Sequence, residues 1–331
     1  MLEGMNFNEI ESRAGLPLVS IVAPVLNEQD AIGDFIAEID KGIVSAWDKQ
    51  AGDHPPRFEI IFVDDGSDDD TNRVVSEFCR TDTRVKLIRL SRNFGKEAAL
   101  SAGMKAASGD AVIPMDVDLQ DPPDLLRPMI DCWLGGAQIV NARRIDRSSD
   151  TVLKRSSSRA FYKLFNSLAD HPIASDVGDF RLLDRAAVNA VNQLGEHHRF
   201  NKGLFSWIGF RSETIEYVRP ARSAGTTKWK VSKLVGLALD GIVSSTTLPL
   251  RIWTVIGASI SCIAFAYAAF LVINTLVGGA ETPGYASLMV AILFLGGLNL
   301  FSLGLLGEYI GRIAVQVRGR PLFIVSHTEG F

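Results

Sequence analysis

Two aspartates one residue apart, Asp116 and Asp118, close an apolar run in the stretch AVIPMDVDLQDPP, residues 111–123. In extended backbone, residues two apart project to the same side. Neighbouring carboxylates repel, and both stay ionised most easily when a hard divalent cation lies between them and an anionic ligand. Gln120 adds a neutral oxygen on the same face, and Pro122 and Pro123 fix the exit. A buried strand that delivers its C-terminal end to a metal–diphosphate site has this pattern. A bare Asp-x-Asp is otherwise an ordinary solvated acidic turn.

Two more acidic segments follow apolar runs. VDDGSDDDT (63–71) sets acids, a glycine and a serine after a strand signal. Asp65 there can accept a hydrogen bond from a base edge or ribose, and Gly66 permits a tight turn. The same residues equally suit a helix N-cap loop. PVLNE (24–28) carries the same ambiguity. The chain has no P-loop and no dinucleotide-type glycine fingerprint after its first strand, so a diphosphate would be neutralised by metal and basic side chains.

These motifs need elements to position them. Apolar or β-branched runs at Leu18–Val25, Phe58–Asp65, Val85–Leu90, Ala111–Asp116 and Gln138–Ala142 alternate with helical patterns near Asp30–Trp47, Asp70–Arg80, Gly95–Ala107 and Pro123–Trp133. Such alternation predicts an α/β fold, a mostly parallel sheet covered by helices on both faces. Its ligands bind beyond the C-terminal strand ends. Phe180–Leu183 and Glu213–Val218 read as further strands.

The net charge of −4 selects no partner, and no nucleic acid is expected; the distribution of charge says more. From Ile252 to Gly307 the one Asp, Glu, Lys or Arg is Glu281. Ile252–Val277 and Tyr285–Leu306 are each long enough to cross a bilayer as a helix, and the short linker predicts a hairpin. Lys228, Lys230, Lys233 and Arg251 precede it, Arg312, Arg318 and Arg320 follow it, and the connecting loop has no Lys or Arg. That asymmetry predicts cytosolic flanks and a cytosolic N-terminal domain. Residues 1–16 lack an apolar signal core. Cys79, Cys132 and Cys262 read as reduced, small apolar residues. A basic amphipathic pattern at 151–169 and a second at 232–251 predict helices at the membrane interface. The expected organisation is a tail at 1–17, a catalytic domain at 18–231, a juxtamembrane helix at 232–251, two spans within 252–306, and a cytosolic tail at 307–331.

PVLNE, VDDGSDDDT, LSRNFGKEAALSAG, MDVDLQDPP, DVGDFRLLDR, RFNKGLFSWIGF, an R…G…TKW segment and GEYIGR occur in this order. The ordered set, from Leu18 to about Pro321, resembles the polyprenyl-phosphate glycosyltransferases of glycosyltransferase family two. The two-span tail resembles the bactoprenol glucosyltransferase type. The resemblance implies a GT-A-type, Rossmann-like domain in which Pro24, Leu26, Glu28, Asp65 and Asp116 line a nucleotide sugar. Asp116, Asp118 and Gln120 would hold Mg²⁺ or Mn²⁺. Arg143, Arg222 and Lys228 would handle phosphates, and Arg199 and Lys202 the lipid-phosphate end. Asp118 and Asp179 would sit at the reacting centre, Asp179 as a candidate general base, although an acceptor phosphate already ionised at neutral pH gives a base little to do. Leu26 departs from a common Tyr, Val117 from Ala, and Thr227 from Ser.

The implied reaction is inverting transfer of a sugar from a nucleotide-diphosphate sugar to polyprenyl (undecaprenyl) phosphate at the cytoplasmic face of the inner membrane. UDP-glucose is the leading donor, with UDP-linked amino-arabinose, UDP-galacturonate, UDP-N-acetylglucosamine and GDP-mannose open. A homo-oligomer, in tetrameric form, is also implied. A processive polysaccharide synthase would need more spans and a Q-x-x-R-W segment, which HHRFNKGLFSW does not provide. A non-catalytic nucleotide-binding scaffold would have lost the acidic pair.

Overall fold

The computed structural model describes residues 16–47, 55–145, 177–196, 201–218 and 284–331, with parts of 253–277. The interfacial helices expected at 151–169 and 232–251 lie outside the described residues. Contacts divide the chain into two units: the described residues up to Val218 together with Pro321–Phe331, and those between Trp253 and Arg320.

The first unit is built on Val/Ile/Phe-rich strands buried on both faces. β1 (Leu18–Val25), β2 (Arg57–Asp64), β3 (Val85–Leu90) and β4 (Ala111–Pro114) run parallel. β5 (Ile139–Arg144) and β7 (Ser212–Tyr217) pair with each other, while β6 (Val177–Asp184) and β8 (Val325–Glu329) lie antiparallel to their neighbours. The order is β7-β5-β6-β4-β1-β2-β3-β8. Alternate residues of one strand feed opposite cores, the signature of a sheet covered on both sides. Ile60 and Phe62 of β2 pack toward α1 (Ile32–Trp47), α2 (Thr71–Thr81) and α4 (Leu126–Leu134). Ile61 and Val63 pack toward α3 (Lys96–Ala106) and α5 (Arg185–Gln193). In α1 the buried Ile32, Phe35, Ile36, Ile39 and Ile43 recur at helical spacing, so one face closes the core.

Several boundaries moved. β4 stops at Pro114, two residues short of the expected Asp116, and residues 117–118 form a turn ending in Leu119 at φ 54°. The argument from extended alternation therefore does not apply to Asp116 and Asp118. The burial pattern survives it: Val117 is buried between two partly exposed acids. The helix expected from Pro123 begins as a 3₁₀ turn, Pro123–Leu125, before α4. α5, a short α6 (Asn201–Trp207) and β8 were not anticipated.

One described helix is long and apolar enough to cross a membrane, Phe294–Val317 within α7 (Tyr285–Val317), and none of that window is buried. It runs past the expected end at Leu306. The two-helix hairpin rests on less among the described residues: Val255–Ala264 is a shorter apolar helix. Within this second unit the Trp253 indole donates to Ser302 Oγ, and its ring lies 4.7 Å from that of Phe301. After α7, part of the expected tail becomes β8 on the edge of β3, with Ser91 N donating to Ile324 O at 2.9 Å.

At the other end of the strands from the acidic loops, Glu59 accepts from Ser20 Oγ, from Lys86 Nζ at 2.7 Å, and from Ser108 N and Oγ at 2.7 and 2.8 Å. Burial alone would raise its pKa; these donors outweigh burial and lower it from 4.5 to about 2. A depressed folded pKa contributes stability above the unfolded value and loses it as pH falls from 4.5 toward 2. Glu59→Gln is thus expected to cost about 3 kcal/mol at pH 7 and only about 1 kcal/mol at pH 3. Urea melts of both forms at the two pH values check this; a pH-independent gap would contradict it.

Candidate active site

The loops that leave β1, β2 and β3 at their C-terminal ends are knitted together by their own polar residues. Asn27, at φ 56°, donates its N–H to Ser67 Oγ (2.9 Å) and accepts from Asp68 N at Oδ1 (2.9 Å). Glu28 N donates to Thr71 Oγ1 (3.0 Å), and Gln29 Oε1 accepts from Asp70 N (3.0 Å). Asp64, fully buried, accepts from Ser67 N (2.8 Å). Much of PVLNE and VDDGSDDDT is therefore spent on holding the strand-end rim in shape.

Asp65 is part of that framework. Its Oδ1 accepts from Phe94 N at 2.7 Å and its Oδ2 from Gly95 N at 2.9 Å, in the loop between β3 and α3. The residue is 4% exposed. Burial pushes its pKa up, and the two amide bonds oppose the shift.

A shallow cleft opens beyond β1 and β4, walled by Pro24, Lys96, Asp116, Asp121 and Asp179 over Leu100 and Met115. Its centre is an ion cluster. Lys96 Nζ lies 2.7 Å from Asp116 Oδ2 and 3.1 Å from Asp179 Oδ2. The antiparallel β6 makes the meeting possible. Asp184 pairs with Ala111 at the start of β4, so Asp179 is carried past the far end of that strand. Partial burial would lower the Lys96 pKa; the two carboxylates outweigh it and hold the ammonium charged well above its ordinary value. Asp118 follows in the turn, its Oδ1 accepting from Gln120 N at 3.2 Å. Gln120 and Asp121 are buried, with Tyr217 Oη donating to Asp121 Oδ1 at 3.4 Å.

The donor set suits a hard divalent ion. Asp116, Asp118 and Gln120 offer oxygens, and the Lys96 ammonium on Asp116 marks where positive charge is already favoured. Among the described residues no group of three or more His, Cys, Asp or Glu could hold a metal.

The glycosyl transferase family 2 model matches residues 20–191, more than half the chain, and a second model, the GtrB C-terminal hairpin, matches 248–313. The chain belongs to glycosyl transferase family 2. It is a glycosyltransferase with a GT-A-like α/β fold. A bactoprenol glucosyl transferase derived from prophage SfII in Shigella flexneri is 45% identical over 311 residues, covering 94% of this chain and 98% of that protein. An uncharacterised glycosyltransferase of Synechocystis sp. is 45% identical over 312 residues, covering 94% and 96%. Among solved structures, the mannosyltransferase PcManGT from Pyrobaculum calidifontis, in complex with GDP-Man and Mn²⁺, is 18% identical with a TM-score of 0.43. It covers 92% of this chain and 87% of that one.

Against the family's expected site residues, the structure brings Pro24, Asp116 and Asp179 to one cleft, with Asp118 and Gln120 in the turn beside it. Leu26 is 40% exposed and Glu28 lies on the same exposed rim. Arg143 forms an ion pair with Glu216, one strand away. Arg181 is buried, stacked 4.4 Å over the Phe205 ring and donating to Gly178 O at 2.7 Å. Lys202 is the second residue of the short α6. Arg199, Arg222 and Lys228 lie outside the described residues. Sequence reasoning missed Lys96 and Asp121. One signal for Lys96 was available: a lysine opening a helix sits against the helix dipole, which calls for acidic partners from elsewhere.

Proposed function

We propose that this glycosyltransferase moves a sugar, with UDP-glucose the leading donor, onto a polyprenyl phosphate at the cytoplasmic face of a membrane. The observation that carries the reading is the union in one chain of the acid–lysine cleft and the hairpin segment, in near end-to-end alignment with a bactoprenol glucosyl transferase. A phosphate oxygen of the acceptor forms the new bond to the anomeric carbon as the bond to the diphosphate breaks, inverting the centre; the electron pair leaves with the nucleoside diphosphate. Asp116, Asp118 and Gln120 would hold a divalent ion, which when bound neutralises charge on the departing diphosphate. Lys96 keeps Asp116 and Asp179 a fixed distance apart and adds positive charge beside the same oxygens. Asp179, held by that lysine, positions groups around the anomeric carbon.

A topological argument supports the hairpin. β3 and β8 belong to one sheet, so the chain that leaves the first unit after β7 returns to the same side. If Phe294–Val317 crosses a membrane, a second crossing must precede it. The contact of Trp253 with Ser302 and Phe301 supports the same reading, since it packs the segment before the expected linker against the helix after it. Both termini would then be cytosolic.

Purified protein incubated with undecaprenyl phosphate and radiolabelled UDP-glucose, UDP-N-acetylglucosamine or GDP-mannose is expected to place label in the lipid phase from UDP-glucose alone. Label from another donor would change the sugar; none from any donor would sink the reading. Reporters fused at Gly279 and after Phe331 should report opposite sides of the membrane.

A further inference from the structure

The geometry points to Asp65 as a positioning residue: it clamps the turn that aims Lys96 at Asp116 and Asp179. The inference rests on the reading of the cleft as a nucleotide-sugar site and goes further, by giving the buried acid of VDDGSDDDT a task in addition to contact with the nucleotide.

Three observations meet. Asp65 is 4% exposed and spends one oxygen on Phe94 N and the other on Gly95 N, at 2.7 and 2.9 Å. A carboxylate holding two successive amides fixes the backbone between them. The neighbouring loop lies flat against the same segment: at Gly66, φ +78°, an added Cβ would come within 2.8 Å of Arg92 C and Asn93 N. The bend itself is at Gly95, φ 97° and ψ 155°, a conformation essentially restricted to glycine, although a Cβ there would meet nothing within 4 Å. That glycine is needed for the bend and not for room. Lys96 follows at once as the first residue of α3 and reaches both carboxylates. Phe94, Gly95 and Lys96 are consecutive, so a turn that shifts moves the ammonium with it.

In Asp65→Asn one oxygen becomes an amide donor facing an N–H, and the clamp opens. The test is calorimetric titration of the full-length protein with UDP and Mg²⁺, for wild type, Asp65→Asn, Lys96→Gln and the double variant. Asp65→Asn is expected to weaken binding roughly tenfold, the order lost with a hydrogen bond to a charged group. Lys96→Gln should weaken it at least as much, and the double variant should bind no worse than Lys96→Gln alone. Gly95→Ala, which alters the bend without touching a carboxylate, should reproduce the pattern and decides the matter if Asp65→Asn does not fold. A residue with a merely structural role would still weaken binding in the Lys96→Gln background. Losses that multiply in that background, or wild-type affinity in Asp65→Asn, overturn the clamp. A wild type with no affinity for UDP and Mg²⁺ overturns the reading of the cleft instead.

Discussion

Replacing Asp118 by Asn is expected to lower transfer about 10³-fold while leaving the fold intact. Asp118 is partly exposed in the turn after β4, and its Oδ1 accepts from Gln120 N. Asn keeps an acceptor in that place, so the turn loses charge but little geometry. The melting temperature should shift by no more than about 2 °C, as for other partly exposed substitutions outside the core. The loss should instead appear in the metal dependence, because Asp116 already shares an oxygen with Lys96 and Gln120 is neutral. Removing Asp118 takes away the carboxylate of the trio that is not bonded to the lysine. Turnover measured against Mn²⁺ concentration, beside thermal melts, checks both halves. Variant turnover within tenfold of wild type, or wild-type turnover undiminished by chelator, would contradict a metal-dependent site.

The second large effect concerns Asp179. Asp179→Asn is expected to lose about a hundredfold in turnover at every pH between 6 and 9, with no recovery toward the alkaline end. A phosphate monoester has its second pKa near 6, so the acceptor oxygen is already mostly ionised at neutral pH. A general base gains little by removing a proton that is seldom present. The structure adds a reason: Asp179 lies 3.1 Å from Lys96 Nζ, and a carboxylate neutralised by an ammonium is a weak proton acceptor. Under the proposed function, its role is to fix that ammonium between two acids and to hold groups near the anomeric carbon. The measurement is a pH–rate profile of both forms at saturating donor. Recovery of the variant toward wild-type turnover at high pH would make Asp179 a base after all.

The elements were legible where local chemistry decided them. Leu18–Val25 and Val85–Leu90 match to the residue: the first is a nearly continuous apolar run buried on both faces, and in the second Val85, Leu87, Ile88 and Leu90 are buried around Lys86 and the exposed Arg89. The closeness of Pro24 to Asp116 follows from motifs at strand ends, since parallel strands deliver their C-terminal ends to one edge, whereas Asp179 stands near the start of an antiparallel strand and was expected there from the family resemblance alone. β8 was illegible for the opposite reason. Val325, Ser326, His327, Thr328 and Glu329 form an exposed edge strand, largely polar, whose register comes from unpaired groups on β3 more than 200 residues away. Asp65 showed its acid but not its partner, because its two amides belong to a loop 29 and 30 residues on. Lys96 showed its unfavourable place at a helix start but not its partners: only the antiparallel insertion of β6 beside β4 brings Asp179 to it. The sequence by itself determined which side chains were available, their charges and the strands that carry them. The tertiary structure alone decided which carboxylate faces an ammonium and which faces backbone amides, because those pairings are made between loops from different strands.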